Sequence, residues 1–256
     1  MQMKKNLKVN NIKLINTNDG SYTLYSKQFD QCYHSTKAGA LNESISKHIE
    51  PALLYHKGKV ELNILDICFG LGYNTLATLY FIKLHNLNIK VNIYSPEFDK
   101  ELLESLQYFT YPKEFDYLKD IIYQLSTKLY YEDDHCKIEI YNGDAVEYIR
   151  NSSIKFDIVY QDAFSSDVNK ELWTQNYFKS LSLILNDDAI ITTYSIATPV
   201  RLSIYFNNFN IYEYKPENSN RITIALNKKE LHHNPKYKYI DMELKQQRNK
   251  DAKAIT

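Results

Sequence analysis

The chain has 256 residues, 44% hydrophobic and 24% charged, enough apolar content for one main α/β domain with a small extension. Basic and acidic residues balance at 31 each, so no net field draws the whole chain to nucleic acid, and no apolar run approaches the roughly 20 residues a membrane span requires. Cys32, Cys68 and Cys136 stand at no metal-ligand spacing, so free thiols in a reducing cytoplasm and no metal site are expected.

Lys4, Lys5 and Lys8 open the chain with no apolar stretch behind them, so a secretory signal is not expected. Residues 8–26 alternate loosely, and Asn18-Asp19-Gly20 between the two halves predicts a hairpin turn. Residues 39–56 carry Leu41, Ile45, Ile49, Leu53 and Leu54 at helical spacing, with Pro51 expected to kink the helix or divide it. Residues 62–68 form a short apolar run, a strand buried on both faces. A turn over 69–74 and an apolar helix over 75–84 follow. The next strand covers 91–94 and ends near Pro96-Glu97, and residues 100–131 read as largely helical. A third strand at 137–141 ends at Asn142-Gly143-Asp144, ahead of a short helix at 145–150. Residues 156–162 are a fourth strand, 173–185 a helix and 189–194 a fifth strand. Residues 210–214 and 221–226 resemble a closing antiparallel pair. From Lys228 to Thr256, eight basic residues face four acidic ones. That segment is either a solvated, partly helical terminus or a tail that meets a phosphate backbone.

Strands alternating with helices imply a doubly wound, mostly parallel α/β sheet with an antiparallel edge. In such sheets ligands bind beyond the carboxyl ends of the strands, so the residues after each strand share one rim. After the first strand stand Asp66, Phe69, Gly70, Gly72 and Asn74. The glycines allow close backbone approach to a ligand, or serve a structural turn alone. Glu97 follows the second strand at about the spacing expected of an acid that binds ribose hydroxyls. Asp144 follows the third, where it either accepts from an adenine amine or caps the helix at 145. Asp162 follows the fourth. A glycine turn and three ordered acids form the signature of an S-adenosylmethionine site. Such a site needs no phosphate cradle, metal or covalent nucleophile, because methyl transfer is an in-line displacement governed by positioning.

These residues also resemble a known family, the MnmC/MnmD methyltransferases of the tRNA wobble uridine. The segment LNILDICFGLGYNTL resembles the family's glycine loop, with Cys68 in place of its first glycine. The stretch FDIVYQDAFSSDVNKELWTQNYFKSLSLIL is similar through Asp157, Asp162, Phe164, Asn169, Trp173 and Thr174, and QFDQCYHSTKAGALNES through Gln28, Phe29, Asp30, Tyr33, Ser35, Gly39 and Glu43. YSPEF, NGDA and TPVR add Glu97, Asp144 and Arg201.

The resemblance implies a class I Rossmann-like methyltransferase fold with S-adenosyl-L-methionine as donor and no flavin, the chain having no room for the oxidase domain of bifunctional members. It implies methylation of the aminomethyl nitrogen on the uridine, with a tRNA anticodon stem-loop as partner. Asp162 would orient the amine and take up its proton. Asp66, Phe69, Gly70, Gly72, Asn74, Glu97 and Asp144 would join it around the donor. Phe29, Tyr33, Glu43, Phe164 and Trp173 would shape the acceptor pocket, Trp173 with core packing as its alternative. Arg201 and Arg221 would contact phosphates, Arg221 with a surface ion pair as its alternative. The expected units are residues 1–57 as an extension, 58–228 as the methyltransferase domain and 229–256 as a basic tail. An aminopropyl transferase of spermidine synthase type, and a non-catalytic protein of the same fold that binds tRNA or another partner, are the competing readings.

Overall fold

The structure, a computed structural model, describes residues 12–217, 219–227 and 236–256. Lys4, Lys5 and Lys8, the start of the first alternating run and part of the basic segment lie outside the described residues.

The extension begins with a small antiparallel sheet of β1 (Ile12–Asn16), β2 (Tyr22–Ser26) and β3 (Gln31–Cys32). The expected turn joins β1 to β2, and Asp19 organises it. Its Oδ1 accepts from Thr17 Oγ1 at 2.7 Å and from the Ser21 amide at 3.0 Å, and its Oδ2 accepts from the Asn42 amide at 2.9 Å. Asp19 thereby caps α1 (Ala40–Ser44) from another element, because the N-cap residue Gly39 has no side chain to do so. A Cβ on Gly39, whose φ is 90°, would lie 1.9 Å from Asp19 Cγ, so only glycine fits there. The helix passes through a π-helical turn, Ile45–Ile49, into α2 (Glu50–Tyr55). The Glu50 amide donates five residues back to Ile45. Pro51 has no N–H for the carbonyl four residues before it, and the widened turn accommodates that loss in place of the expected break.

The main sheet has the spatial order β12-β10-β11-β9-β8-β4-β5-β7-β6. In chain order, β4 (Glu61–Ile67), α3 (Tyr73–Leu84), β5 (Lys90–Glu97), α4 (Lys100–Ser105) and α5 (Lys119–Lys128) come first. Next are β6 (Tyr130–Glu132), β7 (Cys136–Asn142), α6 (Ala145–Asn151), β8 (Phe156–Gln161), α7 (Gln175–Ser182) and β9 (Leu185–Thr193). The chain closes with α8 (Thr198–Tyr205), β10 (Asn210–Tyr214), β11 (Ile222–Leu226), β12 (Tyr237–Tyr239) and α9 (Met242–Arg248). β9, β8, β4, β5 and β7 are mutually parallel, while β6 and the trio β11, β10 and β12 are antiparallel to their neighbours. The fold is the expected doubly wound one, with more antiparallel edge than the sequence suggests.

β4 shows why the centre is stable. Leu62 and Ile64 enter the apolar cluster on one face, and Leu65 and Ile67 enter the cluster on the other. All four are fully buried, each contributing about 1.5–3 kcal/mol relative to exposure. The chain leaves β4 toward β5 on one side and later returns with β8 on the other. The switch point, and with it a crevice, therefore lies beyond the ends of β4 and β8.

Three regions depart from expectation. The long helical stretch breaks at Pro112, and Leu129 in the left-handed region ends α5 so that residues 130–132 become edge strand β6. α8 starts with Pro199 in its first turn, where the missing N–H costs nothing. Residues 236–256, expected within a basic tail, are woven into the body: β12 pairs with β10, and the Ile255 amide donates to Ser203 Oγ at 2.9 Å.

Candidate active site

A cavity of about 990 Å³ opens at the switch point, with β4, β5, β7 and β8 ending in its wall. Ten of the expected site residues line it: Phe29, Tyr33, Glu43, Phe69, Gly70, Asn74, Glu97, Asp144, Asp162 and Phe164.

The turn after β4 is built from left-handed residues. Cys68, Gly70 and Gly72 have φ of 65°, 55° and 72°. Gly70 passes under Tyr33, whose Cδ1 would stand 3.3 Å from an added Cβ. Cys68 takes without a glycine a conformation that disfavours a Cβ. Burial pushes its thiol well above the ordinary range, with Glu97 and Asp162 adding to the effect, so it is not a ready nucleophile. Gly72 does not line the cavity; it is the N-cap of α3 and packs against the Phe69 ring.

Glu97 ends β5 and crosses to the same turn. Its Oε2 accepts from the Gly70 amide and its Oε1 from the Asp99 amide, both at 2.8 Å. Burial pushes its pKa up, opposed by those backbone donors. Asp144 is exposed at the cavity rim, and its Oδ1 accepts from the Glu147 amide at 2.8 Å. The two readings left open for it coexist in place: it caps α6 and still borders the cavity.

Asp66 and Asp162 are linked by one amide. Asn74 Nδ2 donates to Asp66 Oδ1 at 3.2 Å and to Asp162 Oδ2 at 3.0 Å. Asp66 lies behind the cavity wall, fully buried, and also accepts from Thr75 Oγ1 at 2.8 Å. Burial pushes its carboxyl up to about 7, against those hydrogen bonds. Asp162 goes the other way. Burial would raise its pKa, but His48, then His34 and Asn74, outweigh it and hold the carboxyl below its usual value. Asp66 thus supports Asn74 and does not itself reach the cavity.

The extension forms the opposite wall. Phe29 and Tyr33 each stand 5.0 Å from the Phe164 ring, Tyr33 edge-on at 67°. Gln31 Nε2 donates to Ser165 Oγ at 2.7 Å, fastening β3 to the loop after β8. Glu43 is held by the Ser35 amide at 2.6 Å and pairs with the buried Lys47, so its carboxylate is largely satisfied inside the protein.

Three expected substrate contacts do not reach the cavity. Trp173 is fully buried, donates from Nε1 to the Phe164 carbonyl at 2.7 Å and packs edge-on against Tyr194. It positions the Phe164 loop and has no face for a base. Arg201 is 3% exposed, with Nε donating to Thr223 Oγ1 at 2.9 Å and a nitrogen 3.6 Å from Glu213. It cannot meet a phosphate. Arg221 is exposed but pairs with Glu213 at 3.2 Å, the ion-pair alternative. Sequence reasoning missed His48, Gln31 and Asn74's double contact, all of which depend on partners distant in the chain.

The wall suits a nucleoside sulfonium. Glu97 can accept from a diol, Asp144 from an exocyclic amine, and Asn74 Oδ1 is buried without a hydrogen-bond partner among the described residues. Carboxylates on the wall favour a cation.

Comparison with known proteins agrees. A family model described as S-adenosyl-L-methionine-dependent methyltransferase matches residues 112–228. The protein MJ0670 of Methanocaldococcus jannaschii is 31% identical over 217 residues, covering 83% of this chain and 58% of that protein. The tRNA 5-methylaminomethyl-2-thiouridine biosynthesis bifunctional protein MnmC of Leptospira interrogans is 26% identical over 217 residues, covering 74% of this chain and 31% of that protein. The chain therefore spans little more than half of the first relative and under a third of the second. The crystal structure of MNMC2 from Aquifex aeolicus superposes with a TM-score of 0.77 at 28% identity, covering 86% of this chain and 72% of that one. Fold and site together define a methyltransferase that uses S-adenosyl-L-methionine. Within that class the chain is similar to MnmC proteins.

Proposed function

We propose that the protein methylates the aminomethyl nitrogen on the wobble uridine of tRNA, forming 5-methylaminomethyl-(2-thio)uridine in the cytoplasm. The observation that carries this reading is Asp162, a carboxylate held ionised at the cavity wall within an aromatic enclosure of Phe29, Tyr33 and Phe164. An ionised acid there suits an amine acceptor, and the rings suit a base splayed from the anticodon loop.

S-adenosyl-L-methionine supplies an electrophilic methyl group when bound. Gly70, Asn74, Glu97 and Asp144 would hold it, Glu97 at the ribose hydroxyls and Asp144 at the adenine amine. Asp162 accepts hydrogen bonds from the amine, aims its lone pair and stabilises the ammonium that forms as the nitrogen–carbon bond is made. Phe164, braced by Trp173 and by the Gln31–Ser165 contact, keeps water from the amine. With Arg201 sealed inside, phosphate contacts fall to exposed lysines near the rim. Exposed Lys27 and Lys37 on the extension and Lys100 on the wall would supply them.

The test is incubation with tRNA carrying 5-aminomethyl uridine and a methyl-labelled donor, followed by nucleoside mass spectrometry. The expected product is the methylaminomethyl nucleoside. Transfer only from decarboxylated donor to a free polyamine would instead establish the aminopropyl reading, and no transfer to either acceptor would remove both.

A further inference from the structure

Directly behind Asp162, outside the cavity lining, stands His48. The π-helical turn Ile45–Ile49 carries it, and Ser46, Lys47, His48 and Ile49 are all buried, which a regular amphipathic helix does not produce. The imidazole is fully buried. Its Nδ1 lies 2.9 Å from Thr192 Oγ1, and its Nε2 lies 3.4 Å from Asp162 Oδ1. Thr192 Oγ1 also stands 3.4 Å from the Val159 carbonyl; when it donates there, its oxygen is open to accept from His48 Nδ1–H. In that tautomer neutral His48 turns an Nε2 lone pair toward the carboxylate, and among the described residues Nε2 has no hydrogen-bond partner. Two acceptors that face each other at this distance are joined by one added proton.

We propose that His48, acting through Asp162, holds the proton that an amine acceptor must lose before methyl transfer. The inference rests on the amine reading of the site. An alkylamine reaches the cavity mainly as the ammonium, which has no lone pair. Asp162 Oδ1 receives that proton and, 3.4 Å from His48 Nε2, passes it to the ring, which holds it as an imidazolium paired with the carboxylate. The neutral nitrogen then forms its bond to the methyl carbon as the carbon–sulfur bond breaks, and that bond's electron pair stays on sulfur. The product leaves as the secondary ammonium, and the His48–Asp162 pair returns its one proton to water in the cavity. Charge balances: one ammonium enters, one ammonium leaves, and one proton is released as the sulfonium charge is lost.

The surroundings tune the pair from every side. Asp162 faces His48 from the end of β8. Asp66 acts on it from β4, and buried His34, which follows β3, opposes a second positive charge. Tyr160 packs its ring 5.7 Å away, and Glu43 and Lys47 on the same helical stretch pair with each other.

Two measurements test the proposal. In the first, nitrogen-15 spectra of histidine-labelled protein without donor are recorded against pH, for wild type and Asp162→Asn. His48 should be the Nδ1–H tautomer when neutral and should gain its proton at Nε2 at a higher pH in wild type than in the variant. A neutral ring protonated at Nε2, or a titration indifferent to the variant, overturns the proposal. In the second, kcat is followed against pH for His48→Gln, which keeps an amide near the Nε2 position but carries no proton. The rate should fall by about 100-fold near neutrality and recover as pH approaches the amine's own range, with donor Kd within about threefold of wild type. An equal loss at every pH, or no loss, overturns the proposal. If His48→Gln does not fold, Thr192→Val, which keeps His48 but removes its Nδ1 partner, must displace the acid limb of the profile, and an unmoved limb overturns the proposal. Failure of wild type to methylate the tRNA amine sinks the amine reading and this role of His48 with it, whereas the spectra alone failing sinks the role of His48 and leaves the amine reading standing.

Discussion

The two flanks of the main sheet handle charge in opposite ways. Where β4, β5, β7 and β8 run parallel, their ends leave Glu97, Asp144 and Asp162 facing a cavity also bordered by Glu101 and Glu171. Where β9, β11 and β10 run antiparallel, Arg201, Glu213 and Arg221 close a chain of contacts among themselves. The difference follows from connectivity. Crossovers diverge at the switch point and open a crevice, whereas antiparallel neighbours pack side chain against side chain. Charge on the parallel rim is available to a ligand; charge on the antiparallel flank is consumed by the fold.

Substitutions can break this contrast. The largest effect is expected from Asp162→Ala, which should lower methyl transfer to the amine by about 10²- to 10⁴-fold while thermal unfolding stays cooperative. Near-wild-type turnover in a steady-state assay would put the reaction centre elsewhere. Arg201→Ala should do the reverse. It leaves Glu213 with one exposed partner and a hole beside Thr223, so the urea midpoint should fall by the equivalent of about 3 kcal/mol, with donor affinity unchanged.

A third experiment separates the two carboxylates that share Asn74. Asp66 has its pKa pushed up to about 7, so the folded state binds more protons than the unfolded chain between about pH 4 and 7, and wild type should lose stability as pH rises through that window. Asp162 is held low, so its contribution persists above the ordinary carboxylate range and is lost only as pH falls below it. Asp66→Asn should flatten the loss between about pH 4 and 7 in urea titrations, and an unchanged slope would contradict the assignment. Smaller still, Cys68→Gly should gain up to about 1 kcal/mol by relieving the left-handed backbone, read as a small rise in midpoint. Arg221→Ala, at an exposed pair, should change stability by less than about 0.5 kcal/mol.

The parallel rim was legible in the sequence because its strands are buried on both faces and read as short apolar runs, each followed at once by the glycine or acid that meets the cavity. The flank was not. A V-R pair or an isolated Trp carries no mark of which way it points: Trp173 and Arg201 turned inward because α7 and α8 bury their apolar neighbours against the sheet. His48 was hidden for a different reason. It stands three residues after Ile45 and seven after Leu41, on the apolar helical face, where a histidine gives no sign of its partner, and that partner, Asp162, is far away in the chain. The Gln31–Ser165 contact joins residues 134 apart in the chain, beyond any local pattern.

The central claim is that the parallel rim is a donor site and the antiparallel flank is not. Calorimetric titration with S-adenosyl-L-methionine tests it most directly, comparing wild type with Glu97→Ala and Arg221→Ala. Saturable binding by wild type and Arg221→Ala, weakened at least about tenfold in Glu97→Ala, is the expected result. Absence of binding by wild type at millimolar ligand, or equal affinity in Glu97→Ala, would contradict it.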